Sequence, residues 1–115
     1  MKIAVSSQGP ELDSLMDQRF GRCPYLLLIQ TDDMSSNALL NPYANESGGV
    51  GSRLASLLVD RDVKVLLTGK VGPNASYALN ATKIRVVVDC DGPVELAVKK
   101  FLESPNFPGK NESMG

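Results

Sequence analysis

Histidine is absent from these 115 residues, and cysteine occurs only at Cys23 and Cys90. Four ligands of the usual Cys/His kind are therefore not on hand, which excludes a structural zinc site. The side chain most often used as a general base is missing too. Long apolar runs are also lacking: nothing approaches the roughly 18 consecutive residues that a membrane-spanning helix requires. Met1 to Ser7 is too short and too polar for a secretory leader. A cytosolic location without membrane attachment is expected, and reducing conditions there disfavour a disulfide framework. Charge of one sign is scarce as well. Twelve basic residues meet 13 acidic ones for a net −1, with no basic stripe, so nucleic acid is not an expected partner.

What is present is clearest from Thr68 to Ala78, Thr-Gly-Lys-Val-Gly-Pro-Asn-Ala-Ser-Tyr-Ala. The apolar run Val63 to Leu67 stops at Gly69, passes Lys70 and Gly72, and starts a helix with Pro73 at its first position. Proline loses nothing there, because first-turn N–H groups have no intrahelical acceptor. Free amides at Lys70 to Gly72, Asn74 and Ala75, together with the helix dipole, would favour a negative ligand. A compact turn with no ligand has the same pattern.

The chain reads as one domain over residues 1–103, with a flexible tail rich in Pro, Gly, Asn and Ser over 104–115. Lys2 to Ser6, Tyr25 to Gln30 and Asn37 to Leu40 are predicted strands. A helix follows in which Val50, Leu54, Leu57 and Leu58 share a face. Val63 to Leu67 and Ile84 to Val88 are buried strands by their continuous apolar character. Asp91-Gly92-Pro93 opens a last helix with an apolar stripe at Val94, Ala97, Val98, Phe101 and Leu102.

This order, β-β-β-α-β-α-β-α, makes the first three strands an antiparallel meander and forces parallel, helical crossovers afterwards. An α/β fold with a five-stranded mixed sheet, order 3-2-1-4-5 and helices on both faces, is expected. The first, third, fourth and fifth strands then point one way, and their C-terminal ends share the edge where open α/β sheets bind ligands. That edge gathers the Gly48–Gly51, Gly69–Gly72 and Asp89–Gly92 turns. It also gathers the connection from Ser7 to Pro24, which exceeds the roughly 12–15 residues of ordinary loops and is expected to be functional or mobile.

Within that connection, Asp17-Gln18-Arg19-Phe20-Gly21-Arg22-Cys23 places two guanidiniums and a thiol around an aromatic. Arg19 and Arg22 keep their charge at any working pH and offer a fork of donors to an anion. A solvated Arg–Asp pair, contributing roughly 0–1 kcal/mol, is the plainer reading. Lys70 adds a point charge. Cys23, beside Arg22, gains some thiolate character and is a candidate metal ligand, against the commoner role of a small buried apolar residue. Phe20 is assigned to the core and Cys90 to a buried strand end. In the expected order these two thiols belong to strands roughly 14 Å apart, beyond the Cα separation of about 7 Å that a bridge tolerates.

No catalytic set accompanies these groups. The chain has no Gly-x-Ser-x-Gly elbow, no complete Walker A and no first-strand carboxylates for paired metals. It reads as a holder, not an enzyme. The candidate holding residues are Arg19, Arg22, Cys23, Gly48, Gly49, Gly51, Gly69, Lys70, Gly72 and Asn74. Amide turns alone do not separate a sulfide cluster from a phosphorylated small molecule or nucleotide. The long loop would equally suit a protein-interaction or regulatory domain.

Three co-linear motifs carry a resemblance: Asp17-x-Arg19-Phe20-Gly21-Arg22-Cys23-Pro24-Tyr25, Gly48-Gly49-x-Gly51 and Thr68-Gly69-x-Val71-Gly72-Pro73-Asn74-Ala75. Over residues 1–103 they resemble the dinitrogenase iron–molybdenum cofactor biosynthesis family, which includes NifX-type carriers, the C-terminal domain of NifB and the orange proteins of sulfate reducers. The resemblance implies a ribonuclease-H-like fold that carries a metal–sulfur cluster without being an enzyme. The cluster would be of molybdenum–copper sulfide or iron–molybdenum–sulfur type, and the partner a cluster donor or acceptor protein. Some relatives place histidines near the cluster; here Cys23 is the protein sulfur left at the expected edge. A polysulfido-metallate anion needs few protein ligands, and arginines with amides would hold it non-covalently.

Overall fold

A computed structural model describes residues 1–46 and 48–103; Ser47 and the expected tail lie outside the described residues. The elements are β1 (Lys2–Ser7), β2 (Tyr25–Gln30), β3 (Ser36–Leu40), α1 (Val50–Asp60), β4 (Val65–Leu67), α2 (Pro73–Asn80), β5 (Arg85–Val87) and α3 (Val94–Glu103). The sheet has the expected order β3-β2-β1-β4-β5. β2 runs antiparallel to both β1 and β3, while β1, β4 and β5 are parallel neighbours.

Alternation along the strands splits the core into two layers. Ala4, Leu26, Leu28, Leu66 and Val86 meet Leu54 and Leu58 of α1 and Leu79 of α2. On the other face Ile3, Val5, Leu27, Ile29, Leu67 and Val87 meet Val94, Val98 and Phe101 of α3. Each fully buried side chain of this size contributes about 1.5–3 kcal/mol. The layers therefore fix the strand register, since a slip by one residue would exchange them.

Two strands are shorter than their apolar runs suggest. Val63 still donates its amide to the Leu58 carbonyl (3.0 Å), so it finishes the turn after α1 instead of starting β4. After β5 the chain bends at Asp89, whose φ of 62° cannot continue a strand. The stripe on α3 also stops early: Phe101 is buried and Leu102 is 41% exposed.

Candidate functional site

β1, β3, β4 and β5 end on one rim, but its middle is covered. The connection after β1 threads across it, with the Met16 amide donating to Gly92 O (2.8 Å) and the Asp17 amide to Ser6 O (3.0 Å). Farther along, Lys70 N–H donates to Gln18 O at 2.6 Å and Phe20 N–H to Lys70 O at 3.1 Å. The Gln18 side-chain amide reaches Cys90 O at 3.1 Å. Below lies a buried polar joint, in which Ser6 Oγ donates to Asp17 O at 2.7 Å and sits 2.7 Å from Thr68 Oγ1. Phe20, 1% exposed, anchors the segment in the core as expected.

Two expectations change as a result. The long connection is held by main-chain bonds along its length and does not hang free. The Lys70 amide, expected to face a ligand, is already taken. Gly69 also has a different purpose: a Cβ there would stand 2.7 Å from both Cα and O of Gln18, so its missing side chain admits the connection.

The flank beside the covered part is open. α1 starts from Gly49 (φ 72°), preceded by Gly48 (φ 88°), both in the left-handed region that glycine enters without strain. α2 starts from Gly72 with Pro73 at its first position. Neither helix has a side-chain cap among the described residues. Gly51 lies against the backbone of α2, where a Cβ would stand 2.6 Å from Ala75 Cα. That contact sets the two first turns side by side. The amides of Val50, Gly51 and Ser52 in α1, and of Val71, Gly72, Asn74 and Ala75 around α2, have no backbone acceptor among the described residues. Two N-termini, each worth roughly half a positive charge, thus meet at one place. A Cβ at Gly72 would meet nothing within 4 Å, and Asn74 is exposed.

Cations stand next to these amides. Arg19 and Lys70 pair as a parallel bridge, and both side chains are exposed. Arg19 Nε lies 3.7 Å from Asp17 Oδ1, which also accepts the Arg19 amide at 2.9 Å. With Arg19 68% exposed, that pair is weak and leaves most of the guanidinium fork facing outwards.

Arg22 is tied differently. Its Nη1 donates to Ala44 O (3.1 Å) and Glu46 O (2.7 Å), so it fastens the segment that leads into α1. Asn41 helps by donating from Nδ2 to Gly21 O and Cys23 O (3.2 and 2.9 Å), and Glu46 ion-pairs with Arg53.

Cys23 does not gain the thiolate character expected from its neighbour. Its side chain is fully buried, and the thiol lies 3.1 Å from Phe20 O. Burial, and then the negative charge of Asp17, push it up to about 12. Cys90, pushed up to about 11 by burial, belongs to the other core layer, so the sheet separates the two thiols. No group of three Cys, Asp or Glu suited to a metal ion occurs among the described residues. Such a donor set does not fit a bare metal ion. It does fit a polyanion that arrives with its own ligands.

One residue on this rim was not singled out by the sequence. Asp89, with its positive φ, sits beside Lys70 in a cleft on the other flank of α2. The available signal was an Asp, a residue that tolerates left-handed backbone, closing an apolar run.

Residues 1–104 match the family described as "Dinitrogenase iron-molybdenum cofactor". The apo orange protein from Desulfovibrio gigas is 37% identical, with a TM-score of 0.86 over 96% of each chain. A NifB-like protein of the DUF35 family from Thermotoga is 29% identical, with a TM-score of 0.78 over 90% of this chain and 88% of its own. An uncharacterized protein of Methanocaldococcus jannaschii is 26% identical over 106 residues, covering 90% of this chain and 86% of that protein.

Proposed function

This chain belongs to the dinitrogenase iron–molybdenum cofactor family, and from that premise we propose that it carries an anionic metal–sulfur cluster as cargo. The cluster rests at the paired first turns of α1 and α2, on the amides of Val50 to Ser52 and of Val71 to Ala75. Arg19 and Lys70 neutralise it from one side, while Arg22 acts from below by fixing the segment that enters α1. Cargo of molybdenum–copper sulfide or iron–molybdenum–sulfur type suits this seat, because its own sulfides complete its coordination. A protein that holds such cargo without a ligand bond can pass it to an acceptor protein without breaking one.

One observation carries the reading. Two uncapped helix starts are packed together beside two exposed cations, while both thiols are buried and neutral. Backbone N–H groups cost no reorganisation when an anion arrives, and the helix dipoles add to them.

The test is anaerobic mixing of the protein with tetrathiomolybdate and copper(I), or with iron and sulfide, followed by desalting. A visible charge-transfer band should travel with the protein. Prior alkylation with iodoacetamide should leave it unchanged, and raised salt should weaken it, because exposed charges are screened within about 10 Å at 0.1 M. Replacing both Arg19 and Lys70 by alanine should lower retention about tenfold, as for the loss of charge-assisted hydrogen bonds. A protein that stays colourless in every mixture, yet melts higher with nucleotides, would move the seat to phosphate ligands.

A further inference from the structure

The cleft between α2 and the outer edge of β5 has a volume of about 340 Å³. Val71, Leu79, Val86 and Val88 make its apolar floor, and Lys70, Ser76, Asn80 and Asp89 are its polar groups. This is room for a small organic molecule. It adjoins the helix-start seat and shares Lys70 and Val71 with it, while Ser76 and Asn80 lie round the helix from Ala75, the residue that meets Gly51.

The charges are arranged in a particular way. The Asp89 amide donates to Gly69 O at 2.8 Å, so Asp89 and Lys70 leave from adjacent points of the backbone at one end of the cleft. Neither side chain forms an ion pair among the described residues. An ammonium and a carboxylate therefore both line this end of the cleft without an ion pair among the described residues, beside its apolar floor.

β5 adds main-chain groups. Arg85 N–H donates to Lys64 O (2.9 Å), and Val87 O accepts from Thr68 N–H (3.0 Å). In a parallel ladder alternate residues face alternate neighbours, so Val86 turns its N–H and C=O outwards at the sheet edge. The Val88 carbonyl, past the end of β5, accepts from the Cys90 thiol at 3.9 Å. The side chains of Val86 and Val88 line the cleft.

We propose that this cleft binds a free α-amino acid with an apolar side chain. Its carboxylate meets Lys70, and its ammonium meets Asp89. The side chain lies on Val88, Val86 and Leu79. An α-amino acid is the matching class because its two charges sit on one carbon, as the two protein charges spring from one place. Its side chain, one bond away, then runs along the floor.

The experiment is a titration of the ¹⁵N-labelled protein with L-leucine and its two single-charge analogues, 3-methylbutan-1-amine and 4-methylpentanoate. Leucine should saturate at millimolar concentration and shift the amides of Val71, Ser76, Val88 and Asp89. Each analogue should bind about tenfold more weakly, as expected for the loss of one charge-assisted contact. Asp89→Asn keeps a residue that tolerates the positive φ, and it should erase the preference for leucine over 4-methylpentanoate. Lys70→Met should erase the preference over the amine. Absence of saturable shifts at these residues, or equal binding of all three compounds, overturns the assignment. Because no cluster is present in this titration, its result stands apart from the fate of the cargo reading.

Discussion

The covered and the open parts of the rim draw on the same material: glycines, turns and the C-terminal ends of parallel strands. Over β1, β4 and β5 main-chain groups of Ser6, Lys70 and Gly92 meet the Met16–Phe20 segment, the Lys70 amide among them. Beside α1 and α2 the amides of two helix starts have no backbone acceptor among the described residues. The difference lies in what stands opposite each glycine. Gly69 and Gly51 face backbone at a distance no side chain tolerates, so the fold itself demands them. Gly72 faces open space. A glycine-rich turn therefore identifies a binding site only where donors remain after folding has used what it needs.

The largest effects should fall on the two crowded glycines. Gly51→Ala and Gly69→Ala each push a methyl into backbone that cannot swing aside, at a cost of about 1–3 kcal/mol. For a domain near 100 residues, each kcal/mol lowers the melting temperature by about 4–8 °C. In Gly69→Ala, the Phe20 and Lys70 amides should also exchange faster with solvent, because the bonded segment is displaced. A Gly69→Ala protein that melts with the wild type would show that the covering segment is not close-packed, and the contrast between the two parts would collapse.

The thiols of the two core layers provide a second test. Both stand above their ordinary value of 9.0 because burial disfavours the charged form. Above about pH 9 the unfolded chain loses thiol protons that the folded chain keeps. Stability should therefore be insensitive to these groups up to about pH 9 and fall beyond it, by at most about 1.4 kcal/mol per pH unit for each thiol. Urea melts of wild type and Cys23→Ala across this range isolate the contribution. If Cys23→Ala keeps the full alkaline slope, the thiol is not the group that titrates. If iodoacetamide labels Cys23 in the native protein at neutral pH, the buried neutral thiol is wrong altogether.

Much of this architecture is legible in residue order. Three short apolar runs with no helical stripe between them give a meander, and later runs separated by helical stripes give crossovers. The order β3-β2-β1-β4-β5 and the shared rim follow from those alone. The use made of each rim group is not legible, because it depends on residues distant in sequence. Lys70 loses its amide to Gln18, and Gly51 owes its identity to Ala75. Arg22 and Cys23 show the limit at closest range. As neighbours they suggested a stabilised thiolate, yet the turn through Arg22 sends the two side chains to different places. Arg22 goes out to the Ala44 and Glu46 carbonyls, and Cys23 goes into the core.

The smallest expected change in stability belongs to Gly72→Ala, and it is the most informative about the open part. Gly72 has φ −69° and ψ 168°, which alanine adopts without strain. Alanine lowers the entropy of the unfolded chain, a gain of about 0.4–1 kcal/mol. At a helix N-cap it is poorer than glycine by a comparable amount. These terms nearly cancel, so the melting temperature should move by no more than about 0.5 kcal/mol would produce. The methyl group, however, occupies the space in front of the Val71 to Ala75 amides. If a polyanion sits there, the reconstituted Gly72→Ala protein should lose its colour on desalting while wild type keeps it. With the melting temperature of this variant close to that of wild type, such a loss cannot be blamed on unfolding. Equal retention would mean that the open space in front of Gly72 is solvent, and the cargo would have to be held elsewhere.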